Sequence, residues 1–147
     1  MTADVILARL RRFLLVIAGL LLTGTILELW VINHTKEAIQ WLPFILCGVG
    51  LVVVGAALLR PQRSSLMTLR WVMGVVTLGS VFGVIEHVES NLGFVLEIHP
   101  NATFDQIVSG ALGGANPLLA PGMLGLAAVL AIAATYYHPA LKDVGAK

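Results

Sequence analysis

The hydrophobic positions of this chain fall into four long runs, at about 13–32, 41–59, 71–88 and 118–137, with polar residues gathered between them. A helix needs about 20 apolar residues to cross ~30 Å of hydrocarbon, and ~17 suffice where the bilayer is thin. Because no water reaches the hydrocarbon, each spanning segment must satisfy its own backbone hydrogen bonds, which favours helices. The pattern predicts an all-α integral membrane protein, built as a four-transmembrane-helix bundle.

The composition supports one membrane domain over residues 1–147. Of the 147 residues, 58% are hydrophobic and 12% are charged, about half of the roughly 25% charged residues typical of soluble domains. The single cysteine, Cys47, excludes an internal disulfide and is expected to be a small buried apolar residue. Basic residues are too few and too scattered for nucleic acid. The predicted partners are the lipid bilayer and other membrane protein subunits.

The distribution of basic residues predicts the orientation. Of the nine basic residues, only Lys36 lies at the end of the predicted bundle where the first and third apolar runs finish. The other eight lie at the opposite end. The positive-inside rule then places both termini in the cytoplasm, an N-in/C-in topology, with about 91–117 as an extracytoplasmic loop. The expected location is the bacterial inner (plasma) membrane. The eight basic residues on the cytoplasmic side are Arg9, Arg11, Arg12, Arg60, Arg63, Arg70, Lys142 and Lys147.

Two elements are predicted within that loop. Phe94, Leu96 and Ile98 alternate with Val95, Glu97 and His99. In a β-strand alternate residues face the same side, so the pattern predicts an extended segment over 94–99 with Glu97 and His99 on one side. Thr103 and Gln106 form a capping-box pattern. The pattern opens a short amphipathic surface helix over 104–112, expected to lie flat on the outer surface or to cap the bundle. The residues expected to bury its apolar side are Phe104, Ile107 and Val108.

The third run carries a small-residue face that predicts close helix packing. Gly79 and Gly83 are four residues apart, a spacing that lets two backbones approach each other. His87 continues this spacing, so its side chain is expected to point into the bundle. Val76 is expected to face lipid.

Glutamate and histidine residues gather at the predicted outer rim. Glu86, His87, Glu97 and His99 could bind Zn, Cu or Fe, with His34 or Glu28 as a further ligand. Neither an HExxH nor a CxxC motif accompanies them. A bis-histidine haem b between His34 and His87 is a second possibility with less support, because haem-binding histidines usually lie deeper in a bundle. The alternative to both is a polar rim, solvated or bonded to backbone where the chain leaves the membrane.

Two other polar residues have competing interpretations. Glu28 lies about one turn inside the predicted span, where a carboxylate is costly unless it is protonated, paired or facing water. It is either a proton-relay or metal-binding group, or a rim residue that reaches the headgroups. His138 follows the fourth run on the opposite side, where the helix dipole favours a histidine cap.

Three classes of function compete. The small-residue faces, the near absence of soluble mass and the lack of a catalytic motif favour a non-catalytic accessory or structural subunit of a larger membrane complex. The first alternative is a protein that binds a metal or haem at its extracytoplasmic face. The second is a small transporter, which usually requires polar residues or broken helices near mid-membrane. Spans two and four offer few of these.

Overall fold

Five α-helices make up most of the structure, a computed structural model that describes residues 2–142. No β-strand occurs within those residues, so the all-α prediction is confirmed. Two short 3-10 helices accompany the α-helices, at Ala38–Trp41 and Pro139–Leu141. The α-helices are α1 (Ala3–Val31), α2 (Leu42–Leu59), α3 (Arg63–Ile98), α4 (Phe104–Gly113) and α5 (Leu119–Ala133).

Four of these helices form a ring. Helix α1 packs against α2, α2 against α3, α3 against α5, and α5 closes the ring against α1. Along the chain, α2 runs antiparallel to α1 and α3 to α2, as their short connections favour. Helix α5 also runs antiparallel to α3, with α4 in the longer connection between them. Leu22, Met73 and Ala127 contribute fully buried side chains to the centre, and Cys47 is buried as expected.

Three helical segments are long and apolar enough to cross a membrane: Ala3–Val31, Ala38–Leu59 and Arg63–Ile98. The fourth apolar run forms α5, whose 15 residues cover about 22 Å at 1.5 Å per residue. That length falls short of ~30 Å of hydrocarbon. All four predicted runs lie in helical segments, but two of the boundaries differ from the prediction. Helix α1 begins ten residues before the predicted span, and α5 ends four residues before position 137.

Two arginines close one end of the bundle, here called the arginine end. Arg11 on α1 donates to the carbonyl oxygens of Tyr136 (3.3 Å) and Tyr137 (2.9 Å). From α3, Arg70 donates to Oγ1 of Thr135 at 2.8 Å and to its carbonyl at 3.3 Å. These carbonyls belong to residues just beyond the C-terminus of α5, so the bonds tie α1 and α3 to the chain where it leaves that helix. Lys147, counted above with the basic residues, lies outside the described residues.

His138 does not cap α5, and that prediction is wrong. Its Nδ1 accepts a hydrogen bond from the backbone N–H of Ala140 at 3.2 Å and so caps the following 3-10 helix. Partial burial, and then the nearby charge of Arg11, lower the pKa of His138, which favours the neutral ring. Among residues 2–142, the side chain of His138 makes this bond to the chain that follows it and none to a carbonyl of α5.

Helix α3 continues through the segment that was predicted to be extended, so that prediction is also wrong. Its 36 residues run without interruption to Ile98, which places Glu97 in its last turn and His99 at its C-cap. Six residues are too few to separate a period of 2 from a period of 3.6. Asn91 and Val95, four residues apart, lie on the same face of α3, and both contact α4.

Helix α4 packs antiparallel along the last turns of α3, and the two form a helical hairpin. The capping box is confirmed: Gln106 accepts from the Thr103 N–H at 2.9 Å, and Thr103 Oγ1 accepts from the Gln106 N–H. Gly110 lies against Val95 because no side chain separates the two helices there. The burial prediction fails at Phe104 and Val108, which are 78% and 38% exposed, whereas Ala111 is buried against α3.

The small-residue face of α3 contacts two different helices. A Cβ at Gly79 would meet the side chain of Leu46 on α2, and one at Gly83 would lie 3.1 Å from Cβ of Pro121 on α5. Val76 is fully buried, so its predicted lipid exposure is wrong. Residues three apart share a helix face, and Val76 is three residues before Gly79.

Candidate functional site

A cavity of about 350 Å³ lies between the helices at the end opposite the arginines. We call it the glutamate-end cavity. It is bounded by the last turns of α1, the start of α2, the middle of α3 and the approach to α5, and Gly79 and Gly83 are among the α3 residues that line it. Four of the six predicted site residues line it: Glu28, His34, Glu86 and His87.

The end of α1 brings His34 back toward this cavity. Asn33 has a φ of 53°, a left-handed conformation that asparagine tolerates better than most residues. The N–H of His34 then donates to the Leu29 carbonyl at 2.9 Å, and the N–H of Asn33 donates to the Trp30 carbonyl at 3.1 Å. These two bonds make a Schellman motif, which ends the helix and turns the chain.

The side chain of His87 is held by the backbone carbonyl of Pro117. That carbonyl has no hydrogen-bond partner within the helix, because the residue four positions later is a proline, Pro121, which has no N–H to donate. Nδ1 of His87 lies 2.9 Å from that oxygen, and because a carbonyl only accepts, Nδ1 carries the proton. In the neutral ring, the other nitrogen, Nε2, then has a lone pair, the arrangement that many metal-binding histidines share.

The charge environment of the cavity is acidic and open. Neither the Glu28 nor the Glu86 carboxylate has a hydrogen-bond or ion-pair partner among residues 2–142, and both residues are exposed. Partial burial, and then repulsion from His87, lower the pKa of His34. A positive charge on the His87 ring therefore disfavours protonation of His34.

The structure separates the other two candidates from this group. Glu97 and His99 are exposed at the end of α3 and do not line the cavity. Eleven residues of helix between Glu86 and Glu97 correspond to about 16 Å. Across residues 2–142, no three His, Cys, Asp or Glu side chains are grouped closely enough to hold a metal ion. The metal and haem assignments remain predictions, and within the described chain only Glu28, His34, Glu86 and His87 are candidates for a shared site.

Sequence reasoning missed Asn91, which organises the approach to the cavity. Its side chain is 1% exposed. Nδ2 donates to the carbonyls of Ala111 (3.2 Å) and Asn116 (2.9 Å), and Oδ1 accepts from the Asn116 N–H at 2.9 Å. Gly79, Gly83, His87 and Asn91 are each four residues apart, so extending the small-residue face by one turn would have indicated it.

A second missed residue, Ser80, anchors the start of α5. Its hydroxyl donates to the carbonyl of Pro121 at 2.6 Å. Together with the bonds from His87 and Asn91, this contact attaches residues 111–121 to α3 at three points. The wall of the glutamate-end cavity is therefore fixed by hydrogen bonds from one helix.

Comparison with known proteins adds no assignment, because no family model, no curated protein and no solved structure matches this chain.

Proposed function

We propose that this chain is a non-catalytic accessory subunit of a larger membrane complex, in the bacterial inner membrane and with both termini cytoplasmic. The observation that carries the proposal is the α3–α4 hairpin. At 36 residues, α3 is about 54 Å long, whereas hydrocarbon is ~30 Å thick. If the span begins near Trp71, just after Arg70, about 20 residues bring it to the level of Asn91.

The hairpin beyond that level presents apolar side chains that no element within residues 2–142 covers. Its exposed apolar residues include Phe94, Ile98, Phe104 and Leu112. Apolar surface outside the hydrocarbon commonly marks a contact with another protein. Asn91 and Gly110 hold the hairpin rigid, so the surface is preformed, which lowers the entropy cost of binding a partner.

A photo-crosslinking amino acid at Phe104 tests this proposal in intact membranes. We expect one discrete protein adduct, and we expect the same protein to co-purify in fixed stoichiometry after gentle solubilisation. Phe104→Glu should abolish co-purification. Ser109, exposed on a different face of the same helix, supplies matched controls in a crosslinker position and in Ser109→Glu. Lipid adducts alone, or equal effects at the two positions, would contradict the proposal.

A second candidate function is metal binding in the glutamate-end cavity, favoured by the bond from His87 to Pro117. That bond fixes the ring tautomer and leaves Nε2 able to bind Zn, Cu or Fe, with His34, Glu28 and Glu86 lining the same space. Protein prepared without chelator or metal-affinity column should contain metal on elemental analysis.

The histidine variants give this second candidate a direct control. Loss of one ligand typically costs on the order of 10–100-fold in metal affinity, so His87→Ala should empty or weaken the site. His138→Ala, at the arginine end, should leave the metal content unchanged. Wild-type protein with neither metal nor haem absorbance would refute this candidate and leave the accessory-subunit proposal standing.

A further inference from the structure

A larger cavity, of about 790 Å³, lies at the arginine end between the first turns of α1 and the residues that follow α5. We call it the arginine-end cavity. Within residues 2–142, its lining contains four basic side chains and one carboxylate, Asp4. A cleft dominated by one sign of charge concentrates ions of the opposite sign. The basic residues are Arg9, Arg11, Arg12 and Lys142.

These basic groups are not used equally by the fold. Arg11 is engaged by the carbonyls of Tyr136 and Tyr137. Arg9, Arg12 and Lys142 are exposed, and their side chains have no partner among residues 2–142. His138 also lines the cavity, and because its Nδ1 accepts from Ala140, its proton lies on Nε2 as an additional donor. The cavity thus holds several donors that no group among residues 2–142 satisfies.

The deeper wall of the same cavity is apolar. Leu15, Ala57, Leu58 and Leu66 line it, contributed by α1, α2 and α3. These residues come from the helices whose apolar runs are long enough to span a membrane. A free inorganic anion makes no favourable contact with an apolar wall, whereas the acyl chains of a lipid can pack against it.

We propose that the arginine-end cavity binds an anionic phospholipid, with the phosphate at Arg12, Arg9 and Lys142 and the acyl chains along Leu15 and Leu58. Guanidinium groups donate two parallel hydrogen bonds to phosphate oxygens. Basic pockets between membrane helices are suited to anionic headgroups. The site is independent of the accessory-subunit proposal, because it lies at the opposite end of the bundle from the α4 surface.

The test uses the full chain in mild detergent, with lipid binding followed by native mass spectrometry and melting temperature. Phosphatidylglycerol should bind with one-to-one stoichiometry and raise the melting temperature. Phosphatidylcholine with the same acyl chains should not, and neither should millimolar inorganic phosphate. A basic residue near an anionic lipid is worth about 1 kcal/mol, so Arg12→Gln should weaken binding about fivefold. Combining it with Lys142→Gln should weaken binding about 25-fold.

Arg60→Gln is the matched control for those variants. Arg60 is exposed and follows α2 at the same end of the bundle, but it does not line the cavity. Its loss removes the same charge and should leave the affinity within twofold. Equal weakening by Arg60→Gln would show general attraction to a basic surface and overturn the site. Equal binding of phosphatidylcholine or of free phosphate, or no binding of phosphatidylglycerol, would also overturn it.

Discussion

Replacing Asn91 with alanine should loosen α4 without unfolding the bundle. The substitution removes three hydrogen bonds from a side chain that is 1% exposed: two to the carbonyls of Ala111 and Asn116, and one from the Asn116 N–H. A buried hydrogen bond contributes about 1 kcal/mol net, so the expected loss is about 3 kcal/mol. One bond joins α3 to the last turn of α4 and two join it to the connection between α4 and α5, so the loss should be local.

Hydrogen exchange measured by mass spectrometry reports this opening directly. Each 1.4 kcal/mol is a factor of ten in an equilibrium constant, so peptides covering 104–118 should exchange on the order of a hundredfold faster in Asn91→Ala. Peptides from α1 in the same sample serve as the internal reference and should be unchanged.

Ser90→Ala is the neighbouring control for this experiment. It removes only the exposed bond that Nδ2 of Asn116 donates to Ser90 Oγ at 3.0 Å. Exchange over 104–118 should then rise about twofold, because an exposed hydrogen bond contributes at the low end of the usual range. If Asn91→Ala changes exchange no more than Ser90→Ala does, the hydrogen-bonded attachment of the hairpin is refuted.

Three further predictions concern topology, packing and pH. In a cysteine-free background, a cysteine at Lys36 should react with a membrane-impermeant reagent from outside and one at Ser64 should not; outside labelling at Ser64 would reject the N-in/C-in topology. Gly83→Leu should lower the melting temperature in detergent by several degrees, since overpacking costs about 1–3 kcal/mol, whereas Val75→Leu, on an exposed position, should be nearly silent; equal melting temperatures would count against the close approach to α5. Burial and the charge of His87 lower the pKa of His34 below 6.5, so the unfolded state binds more protons and stability should fall as the pH drops below 6.5; His34→Gln should flatten that slope, and an unchanged slope would remove His34 as its cause.

The sequence by itself determined the features that depend on local pattern. Long apolar runs required helices, because unpaired backbone groups cannot be left in hydrocarbon. The capping box at Thr103 and Gln106 determined where α4 begins, since both bonds lie within four residues of chain. The spacing of Gly79 and Gly83 indicated a packed face, because a period of four is a property of any α-helix. Each of these signals is complete within a few turns.

Only the tertiary structure decided which distant groups meet. The rim pattern suggested one site of six residues, but continuing α3 to Ile98 carried Glu97 and His99 away from the other four. Likewise, His87 and Arg11 make hydrogen bonds to backbone carbonyls that lie more than 25 residues away in the chain. Which carbonyls lack a partner depends on where a proline or a helix end comes to lie after packing, and hydrophobic periodicity carries no information about that.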